Sequence, residues 1–321
     1  PLDQRPRNGD ITHLTTFGLP ARCAALLEWT DNGDLADALR LERLPRPFLI
    51  IGGGSNLLFT RPFEGTVFHR LGQPELDAVC ESYCREGVWG FENLSGIPGS
   101  IFGAAVQNAG AYGTEMKDVV SEVKVTDLEN GDRFTLSNRD MQFGYRHSAL
   151  KNPETAGRYL ITDITFRPEA SGPAITHKAV RQIIESIGAE NATPMAVREK
   201  IKALRDSKLP QPALTGSAGS FFRNPEITAC EFEALSQKFP DAPHFAQADG
   251  RIKVPAAWLI DRAGLKGAAE GGAQVWPLQP LVIVNATGSA TAADVLALER
   301  RICNEVTLKF NINLIPEVQH I

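Results

Sequence analysis

Residues Gly90–Glu115 read GFENLSGIPGSIFGAAVQNAGAYGTE. Gly90, Gly96, Gly99, Gly103, Gly110 and Gly113 are interleaved with alanine, serine and asparagine. The stretch is too regular in its smallness for a random loop and carries too little charge for a disordered linker. Small side chains over this length allow something large and flat to lie against the backbone. A cofactor ring system is one candidate, and close packing of two backbone segments is the other. Upstream, PFLIIGGGSNLLF (Pro47–Phe59) gives a short buried strand over 48–51, three glycines, Ser55 and Asn56, then a second apolar strand. Three successive glycines let backbone N–H groups converge on an anion such as a diphosphate. A strand rather than a long helix follows, so this is not the G-x-G-x-x-G of a βαβ unit.

Downstream, Thr215–Pro225 reads TGSAGSFFRNP. Gly216 and Gly219 open backbone conformations closed to other residues. The expectation is a glycine-led turn that carries Ser220, anchored in an apolar layer by Phe221 and Phe222. A hydroxyl held this way can be aimed at a reacting atom; a capping serine in a tight turn is the plainer alternative.

The 321 residues suggest two or three domains at about 100–200 residues each. A hydrophobic content of 43% and a charged content of 22% are those of a soluble globular chain. The formal net charge of −5 gives no basic footprint for nucleic acid, so an anionic substrate requires local cations. Cys23, Cys80, Cys84, Cys230 and Cys303 form an odd, scattered set, read as reduced thiols with no metal-ligand spacing. No stretch approaches the ~20 apolar residues of a membrane span, and the first residues show no apolar signal core. Periodicity predicts helices over 34–44, 76–86, 177–187, 195–204, 229–239, 254–263 and 292–310. Strands are predicted over 23–29, 64–70, 119–127, 133–137, 159–166, 281–285 and 312–315.

The motifs GGGSNLL, GFENLSGIPGS, QNAGAYG, FGYRHS, GSAGSFFRNP, WLIDRAGLKG and a terminal PEV occur in that order. Together, from about Thr15 to Val318, they make the chain resemble the MurB family, the UDP-N-acetylenolpyruvoylglucosamine reductases of peptidoglycan synthesis, in its longer-loop branch. The resemblance implies an α+β protein: a vanillyl-alcohol-oxidase/PCMH-type FAD-binding domain of two α+β subdomains (1–66 and 67–195), a C-terminal α+β substrate domain (196–316) and a tail (317–321). It implies FAD and NADPH as cofactors, UDP-N-acetylglucosamine enolpyruvate as substrate, and a cytoplasmic monomer with no nucleic-acid or membrane partner.

The resemblance also implies site residues. Ser220 matches the proton donor, Arg146 the arginine that braces the substrate carboxylate, and Glu317 the glutamate that stabilises the enol form. Gly53, Gly54, Ser55, Asn56, Ile97, Pro98, Gly99 and Ser100 fall around the flavin diphosphate. Gln107, Asn108, Gly110, Ala111 and Tyr112 fall along the isoalloxazine, with Ile161 also assigned to the cofactor. His177, Arg205, Lys208, Arg223 and Asn224 are the substrate-binding candidates, and no metal is implied. The chemistry agrees with these residue types. Hydride addition to an enolpyruvyl ether builds negative charge next to a carboxylate, which requires cations or donors at that group and an acid at the carbon.

Several features depart from the family pattern, Phe245, Trp276 and Gln319 among them. Phe102 stands where a small residue is usual, so its ring must point away from the flavin or displace a neighbour. His177 stands where a tyrosine is usual. Between Gly65 and Leu76 there is room for one strand instead of the usual extra pair. Two other readings remain at this point: a flavin oxidase on the same scaffold, and a non-catalytic UDP-sugar-binding paralogue.

Overall fold

A computed structural model describes residues 9–30 and 44–321, so the helix expected over 34–44 lies almost wholly outside the described residues. Contacts gather the chain into two compact units. Among the described residues, one takes 9, 23–30, 44–53 and 63–207; the other takes 10–22, 54–62 and 208–321.

The first unit opens on β1 (Arg22–Trp29), β2 (Phe48–Ile51) and β3 (Phe63–Arg70). β3 lies between β1 and β2 and runs parallel to both. Every second residue of β1, from Cys23 to Trp29, is buried, the alternation of a strand with one covered face. Trp29 and Phe48 both meet Phe68 edge-on, with centroids 6.3 and 5.0 Å away. Residues 71–75 then lead directly into helix α1 (Leu76–Arg85). Helix α2 (Ile101–Gln107) follows, then a second sheet of β4 (Val120–Asp127), β5 (Arg133–Ser137) and β6 (Tyr159–Phe166), with β4 central and antiparallel to both neighbours. Its buried face, with Val123, Val125 and Ile161, packs with Leu76, Cys80 and Cys84 of α1 and with Ile101 and Ala105 of α2. Phe102 packs against this same cluster, and the Arg70 guanidinium lies 5.2 Å from its ring centroid. The unit ends on α3 (Lys178–Ile187) and α4 (Pro194–Asp206). Thr193 caps α4 by accepting the Ala196 N–H at 3.1 Å, with Pro194 in the first turn, where its missing donor costs nothing.

Helix α4 is fixed to α1 by charge. Arg198 is 1% exposed and donates to Asp77 at 2.7 and 3.2 Å and to Glu81 at 3.0 Å. Lys202 and the Gly96 N–H also donate to Asp77, both at 2.7 Å. One carboxylate thus holds two helices and the start of the Gly96–Ser100 loop.

The second unit has strands β7 (Ser217–Ser220), β8 (Ala273–Val275) and β9 (Val282–Asn285) and helices α5 (Ala229–Lys238), α6 (Ala256–Arg262) and α7 (Ala292–Phe310). β9 pairs antiparallel with both β7 and β8. Helix α7 begins in a capping box: Thr291 Oγ1 accepts the Asp294 N–H, and Asp294 accepts the Thr291 N–H at 2.8 Å. Its buried stripe of Val295, Leu298, Ile302, Val306 and Phe310 has helical spacing and joins Phe221, Phe222, Leu259 and Ile283 in one core.

Two sequence expectations are corrected here. Residues 312–315 are extended but form no strand. Ile312 and Leu314 are buried in alternation, while the local pairing is confined to an isolated Pro316–Phe222 bridge and the Ile315 carbonyl, which accepts the Arg223 N–H. Alternating burial reports an extended chain, and a ladder needs a neighbour as well. The last strand is instead Gln319–His320, parallel to Leu57–Leu58. Ser220, expected on a turn, lies in β7.

Burial alone would raise the Asp77 carboxyl, but the hydrogen bonds from Arg198, Lys202 and Gly96 outweigh it and hold the group down at about 2. Because the folded value lies below the unfolded one, the stabilisation, about 2 kcal/mol, is complete above the ordinary aspartate range and is lost as pH falls from near 4 towards 2. Urea melts should therefore show a smaller loss of stability between pH 7 and pH 3 for Asp77→Asn than for the parent. At pH 7 the variant should be about 3 kcal/mol less stable, because buried Arg198 keeps only Glu81 as a charged partner.

Candidate functional site

In the first unit the two glycine-rich stretches meet backbone to backbone. A Cβ on Gly53 would lie 2.5 Å from Gly99 Cα and 2.9 Å from Ser100 N, and one on Gly52 would lie 2.5 Å from Ser100 Oγ. Ser100 caps α2 by accepting the Gly103 N–H at 3.1 Å, and the Gly99 carbonyl accepts the Leu76 N–H. The segment Ile97–Ser100 is thereby held from both sides, with Ile97 packed on the apolar cluster next to Pro98. Upstream, Glu92 is fully buried; burial pushes its carboxyl up, and the Gly90 N–H donates to it at 2.7 Å. Asn93 donates to the Tyr112 carbonyl and to Thr114 Oγ1, both at 3.1 Å, and so ties this loop to the QNAGAYG turn.

Helix α2 ends at Gln107, and Asn108 turns the chain with a φ of 47°. The Asn108 carboxamide is used up internally. It donates to Glu115 and to the Gly144 carbonyl and accepts the Lys117 N–H, so it shapes the turn instead of facing a ligand. Gly110–Ala111 pairs with Thr114–Glu115 around Tyr112, whose φ is 52°. Arg146, at φ 54°, donates to the Gly110 carbonyl at 3.1 Å and lies over the Tyr145 ring. The Tyr112 hydroxyl is bonded to the Arg205 guanidinium. Burial raises the phenol and lowers the guanidinium. Gly96, where a Cβ would lie 3.2 Å from Arg205 Nε, completes this contact. His177 caps α3 by accepting the Ala179 N–H through Nδ1 at 3.2 Å and meets the Tyr112 ring edge-on at 5.3 Å. Desolvation beside that ring, then the Arg181 charge, push the imidazole below its usual value and favour its neutral form. Ile161 is buried within the core of the second sheet.

The second unit brings together Ser220, Arg223, Asn224, Glu317, Ser55 and Asn56. In β7, Ser217 is opposite Val284 and Ser220 opposite Val282, three residues against two. The extra residue is taken up where Gly219 has a φ of 70°, a bulge that re-aims the next side chain, here the Ser220 hydroxyl. Phe221 and Phe222, directly after it, are buried. The Phe221 carbonyl accepts the Glu317 N–H at 2.8 Å, and Asn56 Nδ2 donates to the Glu317 carbonyl at 3.2 Å. The serine, the GGGSN loop and the chain terminus are thus fastened to one another. Arg223 donates its backbone N–H to the Ile315 carbonyl, and its Nε is buried without a partner among the described residues. Asn224 accepts the Ala256 N–H and so caps α6, where Pro255 offers no capping side chain. Lys208 is exposed, and its carbonyl accepts the Trp276 indole N–H. A cavity of about 580 Å³ lined by Thr15–Gly18, 212–216 and 285–288 holds none of the expected site residues.

Two further residues were not singled out by sequence. Thr16 Oγ1 donates to the Ser217 carbonyl at 2.7 Å and its N–H to the Gly54 carbonyl at 3.2 Å, which joins the glycine loop to β7. Lys151 donates to Gln107 Oε1 and to the Arg146 carbonyl. Neither residue sits in a motif with a chemical signature.

The donors suit an acceptor-rich ligand such as a flavin dinucleotide. Gln107 Nε2 and Arg205 Nε are buried donors without a partner among the described residues. A buried donor left unmade costs about 1–3 kcal/mol, so each donor has something to gain from a ligand acceptor. Among the described residues no group of His, Cys, Asp or Glu is arranged to hold a metal ion, and no helix is long and apolar enough to cross a membrane.

Comparison with known proteins agrees with this geometry. Residues 211–321 match the family model for the UDP-N-acetylenolpyruvoylglucosamine reductase C-terminal domain, and 72–137 match that for an FAD binding domain. The chain is 40% identical to the UDP-N-acetylenolpyruvoylglucosamine reductase of Chromobacterium violaceum, with 96% of each chain covered. It is 39% identical to that of Pasteurella multocida, with 95% and 94% covered. The crystal structure of the MurB enzyme from Thermus caldophilus superposes with a TM-score of 0.66 over 98% of both chains at 24% identity, a likeness of fold.

The glycine contact gives a structural test. Gly53→Ala must force the 53 and 99 segments apart and should lower stability by about 1–3 kcal/mol in chemical denaturation. Gly172→Ala, with nothing within 4 Å of the added methyl, should change it by less than about 0.5 kcal/mol.

Proposed function

Because the chain belongs to the family of UDP-N-acetylenolpyruvoylglucosamine reductases, we propose that it reduces UDP-N-acetylglucosamine enolpyruvate to UDP-N-acetylmuramate, with NADPH as reductant and FAD as cofactor. What supports the reading most directly is the fastening of Glu317 to Phe221, one residue from Ser220. Bound flavin, once reduced by NADPH, would supply the hydride for the terminal carbon of the enolpyruvyl group.

The chain's residues handle the charge and the proton that follow. The two electrons that enter the C=C bond leave negative charge on the carbon next to the carboxylate. The Ser220 hydroxyl gives its proton to that carbon and recovers one from solvent. A serine is a weak acid, but a carbanionic centre is a strong base, so fixed geometry is the main requirement. The bulge at Gly219 and the buried Phe221–Phe222 pair supply it. Arg146 pairs with the substrate carboxylate, where its planar fork matches two oxygens. Glu317, as the protonated acid, donates a hydrogen bond to the enol form. The buried Gln107 Nε2 is met by an acceptor of the cofactor. Arg205, Arg223, Asn224, Lys208 and His177 are assigned to the substrate, His177 as a neutral cover. The reading puts the protein in the cytoplasm as a monomer acting on a small molecule.

The visible spectrum tests this. A flavin absorbance that bleaches anaerobically with NADPH and returns on adding the enolpyruvyl substrate is expected; protein that takes up no FAD overturns the reading. Ser220→Ala should leave bleaching by NADPH intact and slow the return by about 10²–10⁴-fold. Equal slowing of both half-reactions would remove Ser220 from the proton-donor role.

A further inference from the structure

The Lys151 ammonium joins two groups assigned to different tasks. It closes the short turn Ala149–Lys151, which the buried Ser148 hydroxyl fastens to the end of α2 by donating to the Val106 carbonyl at 2.7 Å. From there Lys151 Nζ donates to Gln107 Oε1 and, at 3.0 Å, to the carbonyl of Arg146. An ammonium has only donors, so the carboxamide of Gln107 must turn its oxygen towards it. The opposite amide orientation would set –NH₂ against –NH₃⁺. The consequence falls on the other end of the amide: Nε2 is directed away from Lys151, buried and without a partner among the described residues. The same ammonium also holds the main chain of Arg146 at a φ of 54°, a conformation a side-chain-bearing residue adopts only when its surroundings impose it.

We propose that Lys151 is a positioning residue, which fixes the Gln107 carboxamide so that its N–H donor meets an acceptor on the flavin ring and which clamps the backbone of Arg146. The inference rests on the reductase reading for the identity of the cofactor and goes beyond it in assigning Lys151. Its effect on the cofactor passes through Gln107.

The test is a double-mutant cycle read by FAD binding. Deflavinated protein is titrated with FAD, with quenching of flavin fluorescence as the signal. Lys151→Met frees the amide to rotate and should weaken FAD binding about tenfold, as should Gln107→Leu, which removes the donor. The double variant should bind no more weakly than either single one. Lys151→Arg keeps a donor and should restore binding to within about threefold of the parent. Gln107→Glu keeps an oxygen for Lys151 and replaces the N–H by a second acceptor, so it should bind as weakly as Gln107→Leu, and this holds the proposal to account if Lys151→Met does not fold. Additive effects in the double variant, or parental affinity in Gln107→Glu, would overturn it. Failure of the parent itself to bind FAD would instead overturn the reductase reading together with this inference. Parental binding with an unaffected Lys151→Met would overturn this inference alone.

Discussion

The carbonyl of Phe221 accepts the Glu317 amide at 2.8 Å, while the Phe221 N–H donates to Leu281 at 2.7 Å. The second unit is arranged around these two bonds. One continues the β7–β9 ladder, and the other pins the end of the chain to that ladder one residue from Ser220. The ring of Phe221 and that of Phe222 beside it are buried in the core, so the residue that carries both bonds cannot shift without disturbing the packing beneath it. The Asn56 amide then reaches the Glu317 carbonyl, which adds the glycine loop to the same assembly. A serine, a glutamate and a loop from three distant parts of the sequence share a rigid frame because main-chain groups and the Asn56 amide hold them.

Much of this was legible in the sequence. Helix α7 begins and ends where the Thr291–Asp294 box, the apolar spacing and Asn311 place it, because every signal there is local. The Thr193–Pro194 start of α4 and the central strand of the second sheet were legible for the same reason. What could not be read depends on partners far away. Residues 312–315 have a strand's alternation but no ladder, and Gln319–His320 finds one only through Leu57–Leu58, more than two hundred positions away. The Ser220 motif reads as a turn because two glycines normally make one; Val282 and Val284 draw it into a strand with a bulge. Phe102, an awkward residue in sequence, finds an apolar cluster and the Arg70 guanidinium that no spacing rule connects to it.

The polar side of the first unit shows how an acidic protein can receive an anion. The net charge is −5, so no global field draws one in. Arg146 and Arg205 are instead placed singly and tethered, Arg146 to the Gly110 carbonyl and Arg205 to the Tyr112 hydroxyl. The motif residues divide into two groups. Asn108 and Ser100 spend their polar atoms on the turns that carry them, while Gln107 and Arg205 keep a buried donor unspent. A motif recognised as a unit thus contains residues that build the wall and residues that face inward. Only the hydrogen-bond accounting separates them.

The meeting of Gly53 with Gly99 also limits how this chain can vary through descent. In an ordinary core contact a larger side chain on one segment is accommodated by a smaller one on the other, and the pair drifts together. Here both members are already the smallest residue there is. A change at either position has no compensating change at its partner, so the two lineages of substitution that could relieve it do not exist. Added bulk in this neighbourhood can be taken up only where a side chain has somewhere to go, as at Phe102, and the two glycines mark the limit.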